Sequence, residues 1–377
     1  MMPDLSILTL RTVRHFLLLV LGCCSVGAHA SASCDDGASD ACFFAFTLPG
    51  SQDQMHYYAS EDPLAPRNAA GPTEVLIAMH GHSHDANKTF DAALLALEHA
   101  NAKGRVLVIA PVYPADSQQA RKCSTAGVPG PTDHDLVWSC SSWQENAPAS
   151  NGGHQTSFAV MDALVADLKQ HWPELRRVTL AGFSAGAQMV QHYVAFAAPA
   201  PAGTKLRFVV SDPGTWLYFD PVRPIPVKNG NPADWADCVS GGALANTCAL
   251  ALSNQFAESC PGFNQWKYGT AGLPGDLTRD ADEARHQYAA ADISYLEGAL
   301  DDSGGKGTSY RVLDRSCGAE SQGPFRLQRG VGYAYYDKTQ LSKEGRHALT
   351  IVPGCAHDVA CVFPSEAARA SLLGPNP

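Results

Sequence analysis

The stretch Arg177-Val178-Thr179-Leu180-Ala181-Gly182-Phe183-Ser184-Ala185-Gly186 decides how this chain is read. Residues 177–181 have the short, apolar, β-branched character of a buried parallel strand. Gly-x-Ser-x-Gly follows, and then Ala187-Gln188-Met189-Val190-Gln191-His192-Tyr193-Val194 sets Met189, Val190, Tyr193 and Val194 at helical spacing. A pentapeptide of small residues recurs by chance and alone marks only a tight turn. Between a strand and a helix, it predicts a sharp elbow that holds the Ser184 hydroxyl clear of its neighbours, where a base can reach it.

Working outward, residues 43–48 read as an early edge strand and residues 74–79 as a central one. A helix over about 87–101 places Phe90, Leu94, Leu95 and Leu97 on its apolar side. The strand at 106–110 ends at Pro111, a helix over 157–172 leads into the elbow strand, and 206–210, 293–296 and 348–352 supply further strands. This alternation predicts an α/β fold built on a doubly wound, mostly parallel sheet. Residues 213–280 break the pattern. They are rich in Gly, Pro, Asn and aromatics, carry Cys238, Cys248 and Cys260, and read as a disulfide-bearing cap or lid, the bland alternative being a decorated surface loop.

The 377 residues, 45% hydrophobic and 17% charged, suit a globular chain with a sizeable core. A formal net charge of −10 argues against nucleic acid or an anionic membrane as the main partner. At the N-terminus Arg11, Arg14 and His15 precede Phe16-Leu17-Leu18-Leu19-Val20-Leu21, and Ala28-His29-Ala30 offers a cleavage site. Residues 1–30 are therefore expected to be a secretory signal, cut after Ala30, with 31–377 as the mature domain. Val20-Leu21-Gly22-Cys23 is a weaker lipoprotein-like pattern, and no apolar run reaches the length of a membrane span. Ten of the 12 cysteines follow the signal, an even number that fits five disulfides in an oxidising compartment. Spacing suggests Cys34 with Cys42, Cys123 with Cys140 and Cys355 with Cys361 as the simplest pairs, although connectivity does not follow from sequence.

A serine nucleophile needs a base. Val352-Pro353-Gly354-Cys355-Ala356-His357-Asp358 follows the last strand and offers His357 in a loop. The imidazole needs a carboxylate to fix its tautomer. The end of the 293–296 strand runs through Glu297-Gly298-Ala299-Leu300-Asp301-Asp302, from which Asp301 is the choice; Asp212, Asp302 and Glu297 are the rivals. An oxyanion requires two backbone amides, one from Ala185 after the nucleophile and one from the loop Met79-His80-Gly81-His82-Ser83-His84, where the His82 amide is the candidate.

Gly182-Phe183-Ser184-Ala185-Gly186 after a strand, His80-Gly81 after an earlier strand, and Asp301 and His357 in Ser…Asp…His order resemble the α/β-hydrolase superfamily over about residues 43–370. Within it the chain is most similar to secreted esterases of the feruloyl-esterase and polyhydroxybutyrate-depolymerase kind. The resemblance implies hydrolysis of a small-molecule or polymeric carboxylic ester through an acyl-enzyme, with Ser184 as nucleophile, His357 as base and Asp301 as orienter. A serine peptidase or amidase would use the same machinery. His80, His82 and His84 admit a metal-dependent alternative, since alternate histidines beside Asp85 could bind zinc; a catalytically silent binding protein is a further one. No cofactor motif is present. Trp138, Trp143, Trp216, Tyr218, Trp235 and Trp266 could line a cleft for an aromatic or polymeric ester, or serve as packing.

Overall fold

The computed structural model describes residues 34–64, 71–151, 154–342 and 346–374, together with Met1. The expected signal and its cleavage site thus lie, Met1 apart, outside the described residues. Eight strands make one sheet: β1 (Phe43–Thr47), β2 (Gln54–Ala59), β3 (Glu74–Met79), β4 (Val106–Val112), β5 (Arg177–Phe183), β6 (Lys205–Ser211), β7 (Ile293–Gly298) and β8 (Ala348–Val352). Their order in space is β1-β2-β4-β3-β5-β6-β7-β8. The β1–β2 and β2–β4 pairs are antiparallel. Every other pair is parallel. Strand β2 was not foreseen: Gln54 and His56 dilute its apolar pattern, and the His56 ring instead pairs with Asp135 at 2.8 Å.

Among the described residues, six helices of eight residues or more flank the sheet: α1 (Ala86–His99), α2 (Ser157–His171), α3 (Ala185–Phe196), α4 (Ala281–Ala290), α5 (Arg326–Tyr336) and α6 (Glu366–Leu373). Both faces of the sheet are covered, so its central strands are mostly apolar. On β3, Val75, Ile77 and Met79 enter one cluster while Leu76 and Ala78 enter the other; β4 repeats this with Leu107 and Ile109 against Val108 and Ala110. Phe158 and Met161 of α2 and Met189 and Val190 of α3 close the first face, and Phe90, Leu94 and Leu97 of α1 with Leu372 of α6 close the second. Burying a side chain of this size contributes about 1.5–3 kcal/mol, and a one-residue slip in register would forfeit the whole set. Leu95, expected on the apolar side of α1, is 38% exposed. It stands 100° around the helix from Leu94, off the stripe that Phe90, Leu94 and Leu97 define.

Strand order reverses at β3. From β3 the chain crosses to β4 on one side and then returns to β5 on the other. The loops leaving β3 and β5 therefore meet at the carboxyl edge, where open parallel sheets build their crevice. The first loop carries His80-Gly81-His82 and the second carries Ser184.

Residues 213–280 contain the antiparallel strands Arg223–Lys228 and Cys248–Ser253, which pair with each other. Arg223 pins this segment. Its buried guanidinium donates to the carbonyls of Val222 (2.8 Å), Tyr268 (2.9 Å) and Phe263, and lies over the Tyr218 ring. Four aromatics named as cleft candidates belong to the core instead: Trp138, Trp143, Trp216 and Tyr218 are fully buried. Trp216 stacks on Tyr333 at 4.3 Å and Trp143 on Tyr113 at 5.5 Å. Five disulfides close the described chain. Cys34–Cys42, Cys123–Cys140 and Cys355–Cys361 pair as their spacing suggests, joined by Cys238–Cys248 and Cys260–Cys317. Among the described residues no helix is long and apolar enough to cross a membrane.

Candidate active site

Ser184 sits between β5 and α3 at φ 58°, ψ −118°, a left-handed conformation that a non-glycine residue adopts only under constraint. Its amide donates to the Ser211 carbonyl at 2.9 Å. The two flanking glycines are required by close approach. A Cβ on Gly182 would lie 2.2 Å from the Gly186 carbonyl oxygen, and one on Gly186 would lie 2.5 Å from that of His80. The elbow is thus wedged between its own helix and the loop after β3.

His357 lies in the loop that follows β8, with its ring against Phe183 at 4.7 Å. Its Nδ1 is 2.8 Å from Asp301 Oδ2, and its Nε2 is 2.8 Å from Ser184 Oγ. An ionised Asp301 accepts from Nδ1–H, which leaves Nε2 as the acceptor for the serine hydroxyl. Burial lowers the His357 pKa, and nearby Arg326 lowers it further, while Asp301 works in the opposite direction. The result is an imidazole held more firmly in its neutral, proton-accepting form.

Asp301 is the acid that contacts the imidazole; the rivals have other partners. Asp302 accepts from the Gly241 amide at 3.2 Å. Asp212, at the end of β6, accepts from the Gly298 amide (2.7 Å) and the Ser211 hydroxyl (2.8 Å). Burial and the neighbouring Asp301 push its pKa up to about 7. Glu297 is fully buried, and burial, with Asp212 and Asp301 nearby, holds its proton on well above the usual carboxyl range. Arg326, itself 2% exposed, is the counter-charge. Its Nη1 lies 3.5 Å from Asp301 Oδ1 and donates to the Thr308 carbonyl at 2.7 Å.

The histidines after β3 do not converge on a metal geometry. His80 is fully buried; its Nε2 accepts from the Tyr113 amide at 3.1 Å and its Nδ1 donates to the Gly81 carbonyl at 2.8 Å. His84 turns inward and donates from Nδ1 to the Tyr113 carbonyl at 2.5 Å. Burial lowers their pKa values to about 4 and about 3, so both are neutral. Among the described residues, the group close enough to share a metal is Asp212, Asp301 and His357, which includes none of these three histidines. Of the three histidines only His82 borders the crevice, alongside Ser184 and Ala185. The amides of His82 and Ala185 donate to no protein acceptor among the described residues, and Asp85 fixes the loop by accepting from the Gly81 amide at 3.0 Å.

Ser184 stands between two chambers that share it with His82 and Val312. The larger, about 280 Å³, is lined by Phe183, His357, Asp85 and Lys88. The smaller, about 180 Å³, is lined by Ala185, Gln188, Gln144, Lys267, Asp314 and Arg326. Sequence reading missed Gln188, Lys267 and Arg326 as site residues. Gln188 was within reach of it, four residues after Ser184 and so on the same face of α3; nothing in the local sequence marks the other two.

No protein-family model matches the sequence, and no curated protein does. Solved structures match at low identity. LpqC, a poly(3-hydroxybutyrate) depolymerase from Bordetella parapertussis, is 16% identical, with 89% of this chain and 91% of that chain covered at a TM-score of 0.55. Poly(aspartic acid) hydrolase-1 from Sphingomonas sp. KT-1 is 20% identical, with 88% and 98% covered at a TM-score of 0.53. Together with the strand order and the strand-turn-helix elbow after β5, this likeness gives the chain the α/β-hydrolase fold.

Proposed function

We propose that this chain is a secreted serine hydrolase that cleaves carboxylic esters through an acyl-enzyme. The observation that carries the reading is the unbroken chain from Ser184 Oγ through the His357 ring to Asp301, each link 2.8 Å, at the carboxyl edge of the sheet. His357 Nε2 takes the hydroxyl proton as Ser184 Oγ attacks the ester carbonyl carbon. The amides of His82 and Ala185 receive the developing oxyanion. The carbon–oxygen bond to the alcohol then breaks, and the leaving oxygen takes the proton from His357. Water next gives a proton to His357 and attacks the acyl-enzyme; the bond to Oγ breaks, and the proton returns to Ser184. Asp301 stabilises the imidazolium formed at each stage.

Residues 213–280 act in this reading as a cap, since Lys267 reaches the smaller chamber. Secretion is supported by pairing of all ten described cysteines in disulfides and by the leader-like residues 1–30. The test compares hydrolysis of p-nitrophenyl acetate and methyl ferulate by wild type and Ser184→Ala. Turnover by wild type should vanish in a variant that keeps its circular dichroism spectrum. Comparable turnover by Ser184→Ala would sink the mechanism.

A further inference from the structure

We infer that the smaller chamber is the acyl subsite and that it selects a short acyl group ending in a carboxylate. This rests on the serine hydrolase reading above. The side assignment follows from proton transfer. His357 must protonate the departing oxygen, and of the two chambers only the larger is lined by His357. The alcohol therefore leaves through the larger one, and the acyl substituent occupies the chamber on the Ala185 side.

The lining of that chamber is unsuited to a fatty chain. Gln144, Gln188, Lys267 and Arg326 stand around it, against few apolar groups. Two donors there are uncommitted. Gln188 is 4% exposed, its Oε1 accepts from the Thr215 hydroxyl at 2.9 Å, and its Nε2 reaches no acceptor among the described residues. Arg326 Nε is buried and equally without a partner. Buried donors without partners cost free energy that a ligand oxygen can relieve, and such sites reject analogues lacking that oxygen.

The charges agree. Lys267 lies 3.1 Å from Glu145 and 3.3 Å from Asp314, so it is neutralised where it stands. Asp314, the anion on the lining, is also occupied by the Tyr268 hydroxyl at 2.6 Å and the Ser316 amide at 2.9 Å. Arg326 is shared with Asp301 at the longer distance of 3.5 Å. The free donors therefore belong to Gln188 and Arg326, both of which line the chamber, and an acyl carboxylate supplies two acceptor oxygens to match.

The experiment compares methyl hydrogen succinate with methyl 4-methylpentanoate at pH 7, reading methanol release. The second ester replaces the carboxylate by an isopropyl group of like shape. The expected kcat/KM favours the succinate ester by about tenfold or more, and that ratio falls by about fivefold or more in Gln188→Leu and inverts in Gln188→Glu. Wild type alone gives the primary answer, so poor folding of a variant does not blunt the test. Labelling of Ser184 by a fluorophosphonate is measured in parallel. A labelled enzyme that prefers the apolar ester, or that turns over neither, overturns the acyl assignment and leaves the serine hydrolase standing. A wild-type protein that neither labels at Ser184 nor cleaves either ester loses both.

Discussion

Two loops at the carboxyl edge of one sheet each carry buried histidines, and they differ in what the ring nitrogens touch. After β8, His357 has a carboxylate on one nitrogen and a hydroxyl on the other. After β3, His80 has an amide and a carbonyl of the backbone. Burial lowers the pKa of both. Only His357 has an acid beside it to stabilise a transient positive charge and a hydroxyl to take the proton from. His80 is a brace that happens to be a histidine. Burial and a lowered pKa are thus common to the proposed base and to a strut, and the partners distinguish them.

The sharpest way to test that contrast is to take away the partner that distinguishes His357. Asp301→Asn should reduce kcat by on the order of 10⁴ with the fold retained, since the amide presents the wrong group to Nδ1. A near-normal kcat would pass the acid role to Asp212. His80→Leu should instead act through structure. It strands the Tyr113 amide and the Gly81 carbonyl, at about 1–3 kcal/mol each. Thermal melting should reveal that loss, and kcat should fall by about ten- to hundredfold as the His82 amide shifts. A smaller effect is expected at Glu297. Its folded-state pKa is raised, so the stability it contributes is full below the unfolded carboxyl pKa and is lost as pH rises. Glu297→Gln should melt about 2–4 °C above wild type at pH 8, with the gap closing towards pH 4. Equal melting curves at both pH values would mean that the carboxyl is not held protonated. Last, the acid limb of kcat/KM should fall below the ordinary histidine value of 6.5, because His357 must be neutral to accept a proton and its pKa is lowered. A limb above 6.5 would show Asp301 outweighing burial.

Much of the frame was legible because it is written in local patterns. The β3 and β5 runs, the Gly-x-Ser-x-Gly turn and a histidine just past the last strand each follow from a few consecutive residues. Asp301 could be ranked above Asp212 but not separated from it, since both follow parallel strands and only the fold brings one of them to Nδ1. Arg326 was out of reach altogether, because it opens α5 and meets Asp301 across 25 residues. The aromatic residues could not be sorted between cleft and packing for a related reason. Composition says that Trp216 and Tyr218 lie in an irregular segment, while their burial depends on Tyr333 and Arg223. Strand β2 escaped because its pairing with β1 and β4, not its own alternation, makes it a strand.

The backbone of Ser184 carries one more implication. At φ 58°, ψ −118° any side chain is held against its preference, and such strain is on the order of 1–3 kcal/mol. Glycine alone would rest there at ease. A library screened for heat resistance should therefore enrich Ser184→Gly, a protein tougher than its parent and chemically dead. Selection for durability alone would drive this molecule away from the residue proposed as its nucleophile.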